Sequence, residues 1–512
     1  MTVSAEHQRF KNQSILLPGT SQMQSVPDIR IHRVNDESVH KAGEFVVYWM
    51  TASRRLTFNF SLDRALEHCR ALRRPLLILE PLRCDYRWAS RRFHAFAVQG
   101  MRDNAAEARR HGHAYAAWVE RSLGGGSGLL QKIAAESCVI VTDDYPCFFL
   151  PQMVRAVGRH LPVLLEAVDS NGLLPLRATD QIFPTAYAFR RFLQKQLTPH
   201  LSVCPQAAPL ADAAVPRMKS LPAALSHAPG LCSDEELADP AGWLDTIPID
   251  QSVLEAPSAG GSVAARQCLQ TFLQHRLRRY GEERNQPDAD VASGLSPWLH
   301  FGQISVHEVF QQLAEREKWT PGHLADPRQT RGSRNGWWGM SESAESFLDE
   351  LVTWRELGFN MCWQDRRYDR WESLPDWARK TLQEHAADPR PETWTHEQLE
   401  AAGTSDRIWN AAQRQLLREG RMQNYLRMLW GKKVLEWSPQ PRQALKSLIE
   451  LNNKYALDGR DPNSYSGIFW VFGRYDRAWG PERKIFGKIR YMTSDSTAKK
   501  LDLKRYLQTW GR

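Results

Sequence analysis

The stretch that decides the fold is Arg421–Trp437, which reads RMQNYLRMLWGKKVLEW. Trp430 and Trp437 lie seven residues apart, which places both on one helix face, two turns from each other. The same stripe carries Arg427 and Met428, where a plain core helix would have leucine, isoleucine and valine. Taken singly, each residue fits a core helix whose arginine extends to solvent. Together they form an unusual density of tryptophan beside charge.

Length and charge limit what the chain can be. With 512 residues it is too long for one hydrophobic core, and we expect two or three domains. No apolar run reaches the ~18 residues that a membrane helix needs, and the polar N-terminus lacks a signal-peptide core. We therefore expect a cytoplasmic protein without a membrane partner. The net charge of +9 favours a polyanionic partner, although a solvated basic surface explains it equally well.

The cysteines exclude several classes of site. Eight of them are scattered along the chain without a CxxC pair, which argues against a zinc ribbon and a disulfide framework. No cysteine follows Cys362, which argues against an iron–sulfur cluster in the C-terminal half. We expect no metal site, and reduced thiols in a reducing compartment.

The N-terminal part alternates apolar runs with helical segments. Four runs predict buried strands: FVVYWM (45–50), PLLILE (75–80), the core of ESCVIVTDDYP (136–146) and LPVLLEAVD (161–169). Strands alternating with helices, one of them near 151–160, predict a Rossmann-like α/β domain with a parallel sheet. GGGSG at 124–128 follows a helix and lacks a GK[ST] ending, so we interpret it as a linker and not as a phosphate loop.

Composition divides the chain into regions. Residues 1–30 are expected to form a flexible tail, and residues 31–197 hold the α/β domain. Residues 198–262 are rich in alanine, proline and serine, which predicts an interdomain linker. Helical periodicity then continues and predicts a larger all-α domain over residues 263–512.

Several groups of residues, in one order over a long span, carry a resemblance to a known family. They are Trp409-Asn410, Tyr425-Leu426-Arg427-Met428, Trp430-Gly431-Lys432-Lys433, Leu451-Asn452, Asp458-Gly459-Arg460-Asp461-Pro462-Asn463, Trp470, Asp476-Arg477-Ala478-Trp479-Gly480 and Gly487-Lys488-Ile489-Arg490-Tyr491-Met492. With them the C-terminal half resembles the FAD-binding half of class II cyclobutane-pyrimidine-dimer (CPD) photolyases. The resemblance is specific from Tyr280 onward and weak before it. It implies a carbon–carbon lyase that repairs DNA with light.

The resemblance implies that the all-α domain binds FAD. Holding a pyrophosphate without a Rossmann fingerprint requires hydroxyls, helix N-termini and arginines, and SGLSP at 293–297 supplies hydroxyls just before a helical segment. The residues assigned to the FAD phosphate and ribose are Tyr280, Arg284, Ser293, Leu295 and Ser296. The residues assigned to the flavin ring are Arg355, Arg427, Asp458 and Asn452, with Asp458 as the partner that a buried Arg427 requires.

Asn452 is expected to face flavin N5. Its amide could rotate to accept from a protonated N5 or to donate to an unprotonated one, which would suit several redox states. Without the family match, a helix-end cap is the better interpretation of this residue. The resemblance also allows a second, light-harvesting chromophore of deazaflavin or folate type in the N-terminal domain, and no local motif decides whether it binds.

Two further sets of residues complete the implied site. Trp409, Trp430 and Trp437 match the tryptophans that re-reduce the photoexcited flavin, as a path from the buried ring to the surface. Leu429 stands where family members often carry a tyrosine, which puts an auxiliary tyrosyl radical there in doubt. The dimer-binding residues are Glu350, Trp354, Met428 and Trp470, and the residues that fill the gap beside the flipped dimer are Arg477 and Trp479.

Glu350 and Trp354 stand four residues apart, which places both on one face of a predicted helix. Glu350 would hydrogen-bond the carbonyl edge of the dimer, and Trp354 with Trp470 would stack on its bases. Taken singly, residues 350–355 also fit a surface ion pair. The expected partner is double-stranded DNA that contains a pyrimidine dimer, bound by a monomer.

Other functions remain open at this point. The main alternative is a cryptochrome-like FAD blue-light sensor without repair activity, against which the full dimer-binding set speaks. A photolyase for the (6-4) photoproduct would need pocket histidines, of which His300 is the nearest candidate. A DNA-binding protein that has lost flavin would have no use for the Arg427 and Asp458 pair. The insert RGSRNGWWGMSES (331–343) is typical of an exposed loop, with DNA contact and a packed loop tip equally open.

Overall fold

A single sheet organises the N-terminal part of the structure, a computed structural model that describes residues 25–512. Its strands are β1 (Ile31–Arg33), β2 (Phe45–Trp49), β3 (Leu76–Leu82), β4 (Ala114–Val119), β5 (Ser137–Asp143) and β6 (Leu165–Val168). They lie in the order β1-β6-β5-β2-β3-β4, and all neighbours run parallel except β1, which is antiparallel to β6. The predicted α/β domain with a parallel sheet is confirmed.

Helices and strands in this domain follow from the apolar pattern. Every residue of β2 and of β5 is buried, as expected for parallel strands covered on both faces. The covering helices are α1 (Phe60–Leu72), α2 (Arg91–Arg110), α3 (Leu129–Glu136) and α4 (Leu150–Gly158). Two strands were not predicted. β1 has three residues, and β4, AYAAWV, is rich in alanine, which has a low strand propensity.

The rest of the described chain is helical, as predicted. Short helices lead out of the α/β domain: α5 (Ala186–Gln196), α6 (Thr198–Leu201), α7 (Ala223–Ser226), α8 (Asp234–Ala238) and α9 (Ala241–Leu244). The C-terminal domain contains α10 (Ser262–Thr271), α11 (Leu277–Glu283), α12 (Ser296–His300), α13 (Val306–Arg316), α14 (Pro327–Thr330), α15 (Glu342–Leu348), α16 (Arg355–Gln364), α17 (Asp376–Glu384), α18 (His396–Glu400), α19 (Arg407–Glu419), α20 (Asn424–Trp437), α21 (Pro441–Tyr455), α22 (Pro462–Val471), α23 (Ser494–Lys500) and α24 (Lys504–Trp510). Throughout residues 25–512, each helix is too short or too polar to cross a membrane.

The end of the predicted N-terminal tail is packed into the protein. Residues 1–24 of the tail predicted over 1–30 lie outside the described residues. Val26 is 4% exposed and Arg30 only 1% exposed. The Arg30 guanidinium donates to the carbonyl oxygens of Gly172 at 3.2 Å and Leu173 at 2.8 Å. The tail prediction is therefore wrong for residues 25–30, because a buried arginine anchors them.

The segment over residues 198–262 is more than a linker. Leu225 and Leu244 are fully buried. The backbone of this segment also pairs with the outer edge of β4, where Cys232 N–H donates to the Ala117 carbonyl at 2.9 Å. Covering an edge strand satisfies backbone groups that would otherwise face solvent. Scattered apolar residues in a proline-rich stretch hid this packing in the sequence.

Glu356 joins α16 to the α/β domain. Its carboxylate, on a residue that is 4% exposed, accepts from the backbone N–H groups of Leu173 at 2.7 Å and Leu174 at 3.0 Å. The neighbouring Arg355 donates to the carbonyl oxygen of Asn171 at 2.7 Å. Buried N–H groups need acceptors, so this contact fixes the position of α16 and of the turn before it.

We predict that Glu356→Ala lowers the free energy of unfolding by about 2–4 kcal/mol, because two buried N–H groups lose their acceptor. Thermal unfolding followed by circular dichroism measures the effect. Glu384→Ala, which removes an exposed carboxylate from α17, serves as the control. Equal unfolding midpoints for the two variants would contradict the role of Glu356.

Candidate active site

Arg427, near the start of α20, forms a bidentate ion pair with Asp458. Its Nη2 lies 3.1 Å from Oδ1 of Asp458, and its Nη1 lies 3.3 Å from Oδ2. Both side chains are mostly buried, 18% and 14% exposed. Two parallel charge-assisted hydrogen bonds offset the cost of removing these charges from water. The predicted pairing is present, and its place at a flavin ring stays a prediction.

Asn452 lies near the end of α21 and is 3% exposed. Its Nδ2 donates to Oγ of Ser464 at 2.6 Å and to Oδ1 of Asn453 at 3.3 Å. Both partners are side chains, so the alternative interpretation as a helix cap is wrong. Both contacts are made by Nδ2, and the predicted rotation between two hydrogen-bonding states stays a prediction.

Two residues that the sequence assigned to different ligands bind each other. Nη1 of Arg284 donates to Oε1 of Glu350, and the Arg284 guanidinium lies 5.8 Å from the ring centre of Tyr280. Burial raises the pKa of the Tyr280 phenol, which therefore stays protonated at neutral pH. The residues predicted at the FAD phosphate thus lie next to the residue predicted at the dimer.

The turn that holds Glu350 and Trp354 differs from the prediction. Asp349–Trp354 form a π-helical turn, in which hydrogen bonds join residues five apart, where the sequence predicted an α-helix. Such turns are frequent at functional sites. The shared role of Glu350 and Trp354 at a dimer stays a prediction. Both side chains are partly exposed. Arg355 donates to the Asn171 carbonyl and lies 4.3 Å from the ring centre of Phe359, and its predicted place beside the flavin ring stays a prediction.

The SGLSP segment precedes α12 as predicted. Leu295 is 1% exposed and anchors the segment in the core. Oγ of Ser293 accepts from the Leu295 N–H at 3.5 Å, and Ser296 is exposed at the first position of the helix. Gly294 has φ 73°, a backbone conformation that glycine adopts without strain. Hydroxyl groups therefore flank the start of this helix.

The three predicted tryptophans are in contact. The ring of Trp409 lies 6.3 Å from that of Trp430, nearly parallel, and 5.5 Å from that of Trp437, edge to face. Their order is therefore 437, 409, 430, with α19 supplying the middle ring between two from α20. Each is 2% exposed or less, so the expectation that these indoles themselves reach the surface is wrong. Nε1 of Trp430 donates to Oε1 of Gln413 at 2.9 Å. Leu429 is buried.

Met428 and Trp470 are partly exposed on α20 and α22. Behind them lies Lys432, a residue of the family resemblance to which the sequence pattern assigned no role. Its ammonium is fully buried, donates to the Val471 carbonyl at 2.6 Å and lies 4.7 Å from the ring centre of Trp470. Burial lowers the pKa of Lys432 from 10.5 to about 7. Its position four residues after Met428, on the same stripe, was the available signal.

The predicted gap-filling loop lies beside Trp470. Arg477 is exposed and stacks on Trp479 at 4.9 Å. The guanidinium of Arg490 lies 4.1 Å from the Trp479 ring and 5.6 Å from the Trp470 ring. The Asp476 carboxylate accepts from Nε of Arg490 at 2.8 Å and from Nε1 of Trp479 at 3.1 Å. Asp476 and Arg490 thus order a loop whose tip carries the exposed guanidinium of Arg477.

Comparison with known proteins decides the family. The chain is 34% identical over 480 residues to the deoxyribodipyrimidine photo-lyase of Methanothermobacter thermautotrophicus, covering 93% of this chain and 97% of the relative. It is 31% identical to the photo-lyase of Potorous tridactylus, covering 95% and 86%, and 33% identical to that of Oryza sativa, covering 91% and 87%.

The chain belongs to the deoxyribodipyrimidine photo-lyase family. The predicted enzyme class, a deoxyribodipyrimidine photo-lyase, is confirmed.

Solved structures show the same fold. A class III photolyase from Agrobacterium tumefaciens matches with TM-score 0.63 at 17% identity, covering 91% of this chain and 86% of that one. A cryptochrome from Synechocystis sp. PCC6803 matches with TM-score 0.62 at 16% identity, covering 91% and 88%. At these identities the likeness bears on fold alone. No protein-family model matches the chain.

The N-terminal domain of this photo-lyase family member contains a cavity of about 460 Å³. Its lining includes Trp49, Arg54, Trp118 and Glu120. The GGGSG turn at 124–128 forms part of the wall, so this segment contributes to a binding-sized space and is more than a linker. His300, the nearest candidate for a pocket histidine, also lines this cavity. Its Nδ1 lies 3.4 Å from Oδ2 of Asp461.

The adjacent tryptophans of the 331–343 insert are interior residues. Trp337 is 3% exposed and Trp338 is 6% exposed. Trp338 packs against Phe310 at 5.5 Å and Trp319 at 6.2 Å. The exposed-loop prediction is wrong for both residues, and the packed alternative is confirmed. Direct DNA contact by these rings is excluded by their burial.

We predict that stability depends on pH through Lys432. Its pKa is about 7 when folded and ordinarily 10.5, so between these values the unfolded chain binds more protons. Stability should therefore rise with pH from about 7 to 10.5, by at most ~1.4 kcal/mol per pH unit. The rise should be absent in Lys432→Met and present in Lys433→Met, which removes a partly exposed lysine. Parallel midpoint-versus-pH curves for the wild type and Lys432→Met would contradict the prediction.

Proposed function

We propose that the chain is a class II-type photolyase that repairs cyclobutane pyrimidine dimers in double-stranded DNA, acting as a monomer with FAD. One observation carries this proposal. The single helix α20 bears the predicted flavin-facing Arg427, the predicted dimer-facing Met428, and two of the three contacting tryptophans. A cofactor that must receive electrons on one side and donate them on the other would need this arrangement.

The residues present fit a flavin. Asn452 is buried, yet its Oδ1 accepts no hydrogen bond from any other residue in 25–512. Arg427 has N–H groups beyond the two that bind Asp458, which suit a ring carbonyl. Tyr280, Arg284, Ser293, Leu295 and Ser296 would hold the phosphates and ribose, and Arg355 would contribute a positive charge near the ring. When bound and excited by light, reduced FAD supplies the electron that opens the dimer.

The protein's own residues position the lesion and supply electrons. Trp354, Met428 and Trp470 would enclose the flipped bases, whose faces are apolar and whose edges are polar. Glu350 would leave Arg284 to hydrogen-bond a dimer edge. Arg477 and Trp479 would fill the gap that the flipped dimer leaves in the duplex, and Asp476 already orders their loop. The three tryptophans would carry an electron toward the flavin in the order 437, 409, 430, because Trp430 is the one nearest to Arg427 along α20.

Repair of an oligonucleotide with one thymine dimer tests the proposal. The purified chain, with chemically reduced flavin, should restore thymine absorbance under blue light and not in the dark. We predict that Glu350→Ala slows repair by about 10- to 100-fold, since a hydrogen bond to a charged group contributes about 1.5–3 kcal/mol. The exposed Glu342→Ala, from the adjacent helix, should repair at the wild-type rate.

Flavin content must be measured in each variant, because Glu350 also binds Arg284. Loss of repair with flavin retained supports a role at the lesion. Flavin photochemistry without thymine recovery in the wild type would overturn the proposal and favour the cryptochrome-like light sensor.

The cavity in the N-terminal domain supports a second proposal, that it holds the light-harvesting chromophore of deazaflavin or folate type. Its volume of about 460 Å³ suits a small aromatic cofactor. Trp49 and Trp118 offer faces for stacking, and Arg54 and Glu120 offer charged partners for ring heteroatoms. We predict that reconstitution with one of these chromophores adds an absorbance band that also drives repair. Met153→Trp, which fills the cavity, should abolish the band and leave repair through flavin unchanged.

A further inference from the structure

A chain of hydrogen bonds beside Asn452 has a polarity that can be traced to the backbone. Asn453 is fully buried, and its Oδ1 accepts from the backbone N–H of Arg460 at 2.9 Å. A backbone N–H can only donate, so the Asn453 atom that faces it must be the oxygen. The other end of this amide, Nδ2, donates to the hydroxyl of Tyr465 at 3.0 Å.

The orientation of Asn453 determines that of Asn452. The same Oδ1 of Asn453 lies 3.3 Å from the amide of Asn452, which must therefore present its Nδ2. Turning the Asn452 amide over would bring two carbonyl oxygens together in a buried site. The hydroxyl of Ser464 accepts from this Nδ2 at 2.6 Å, which adds a second contact on the same side. A hydroxyl can also donate, so Asn453 sets the polarity and Ser464 strengthens it.

We infer that Asn453 and Ser464 are positioning residues that hold Asn452 as a hydrogen-bond acceptor toward the flavin, so that Asn452 selects flavin with a proton on N5. This rests on the proposed function, in which Asn452 faces N5. An oxygen at that position attracts an N5–H group and repels an unprotonated N5 with its lone pair. Through the hydrogen bonds that join Arg460, Asn453 and Asn452, one backbone N–H group thus favours the protonated state of flavin N5.

The test follows the proton on N5 by absorbance, in the flavin that has taken up one electron, as a function of pH. Ser464→Ala should retain flavin and lower the proton affinity of N5 by about fivefold, the effect of about one net hydrogen bond. Asn453→Leu should lower it further. Asn453→Asp keeps an oxygen toward Arg460 and Asn452, so it should restore the wild-type affinity or exceed it.

Ser466→Ala is the matched control, because Ser466 is buried on the same helix and donates to the Pro462 carbonyl at 3.1 Å. It should leave the proton affinity of N5 unchanged. Circular dichroism identifies any variant that fails to fold. If Asn453→Leu fails, the proton affinity of N5 is compared between Ser464→Ala, Asn453→Asp and the wild type. Bound flavin with equal proton affinity in these variants would overturn the inference and leave the proposed function intact. A folded wild type that binds no flavin would overturn both.

Discussion

The close contact between α20 and α22 is the constraint on which the site depends. At Gly431 a Cβ atom would lie 2.4 Å from Cγ2 of Val471, so a larger residue would force the two helices apart. One residue later, Lys432 is buried in the same contact and bonds the Val471 carbonyl. On α19, Trp409 contributes the ring that lies between two others from α20. These contacts fix the position of α20 relative to α19 and α22.

This position brings together two kinds of environment, which in the proposed function meet at one cofactor. The aromatic chain requires dense apolar packing, whereas Arg427 and Asp458 require a polar space with a charge on each side. Successive turns of α20 serve these needs separately, with the ion pair near its start and Trp437 at its end. The fully buried ammonium of Lys432 lies between them, and this burial lowers the pKa of Lys432.

Local patterns predicted the parts of the structure that depend on local sequence. The apolar runs of β2 and β5 and the pairing of Arg427 with Asp458 followed from composition and from the family resemblance. Strand β4 did not, because its alanines take their conformation from neighbouring strands. The contact between Arg284 and Glu350 joins residues far apart in the chain. The π-helical segment that presents Glu350 is a single turn, which is too short to show a periodic pattern in the sequence. Tertiary context decides such features.

In the proposed function, the contacting tryptophans lead electrons to a flavin beside α20. Flash photolysis of the chain with oxidised flavin tests it most directly, by following flavin reduction and tryptophan oxidation together. Trp409→Phe, which interrupts the chain at its middle ring, should largely abolish stable flavin reduction. Trp338→Phe, a change at a buried tryptophan outside the chain, should retain it. Undiminished flavin reduction in Trp409→Phe would show that electrons reach the flavin without passing through Trp409, and would contradict this role of the tryptophans.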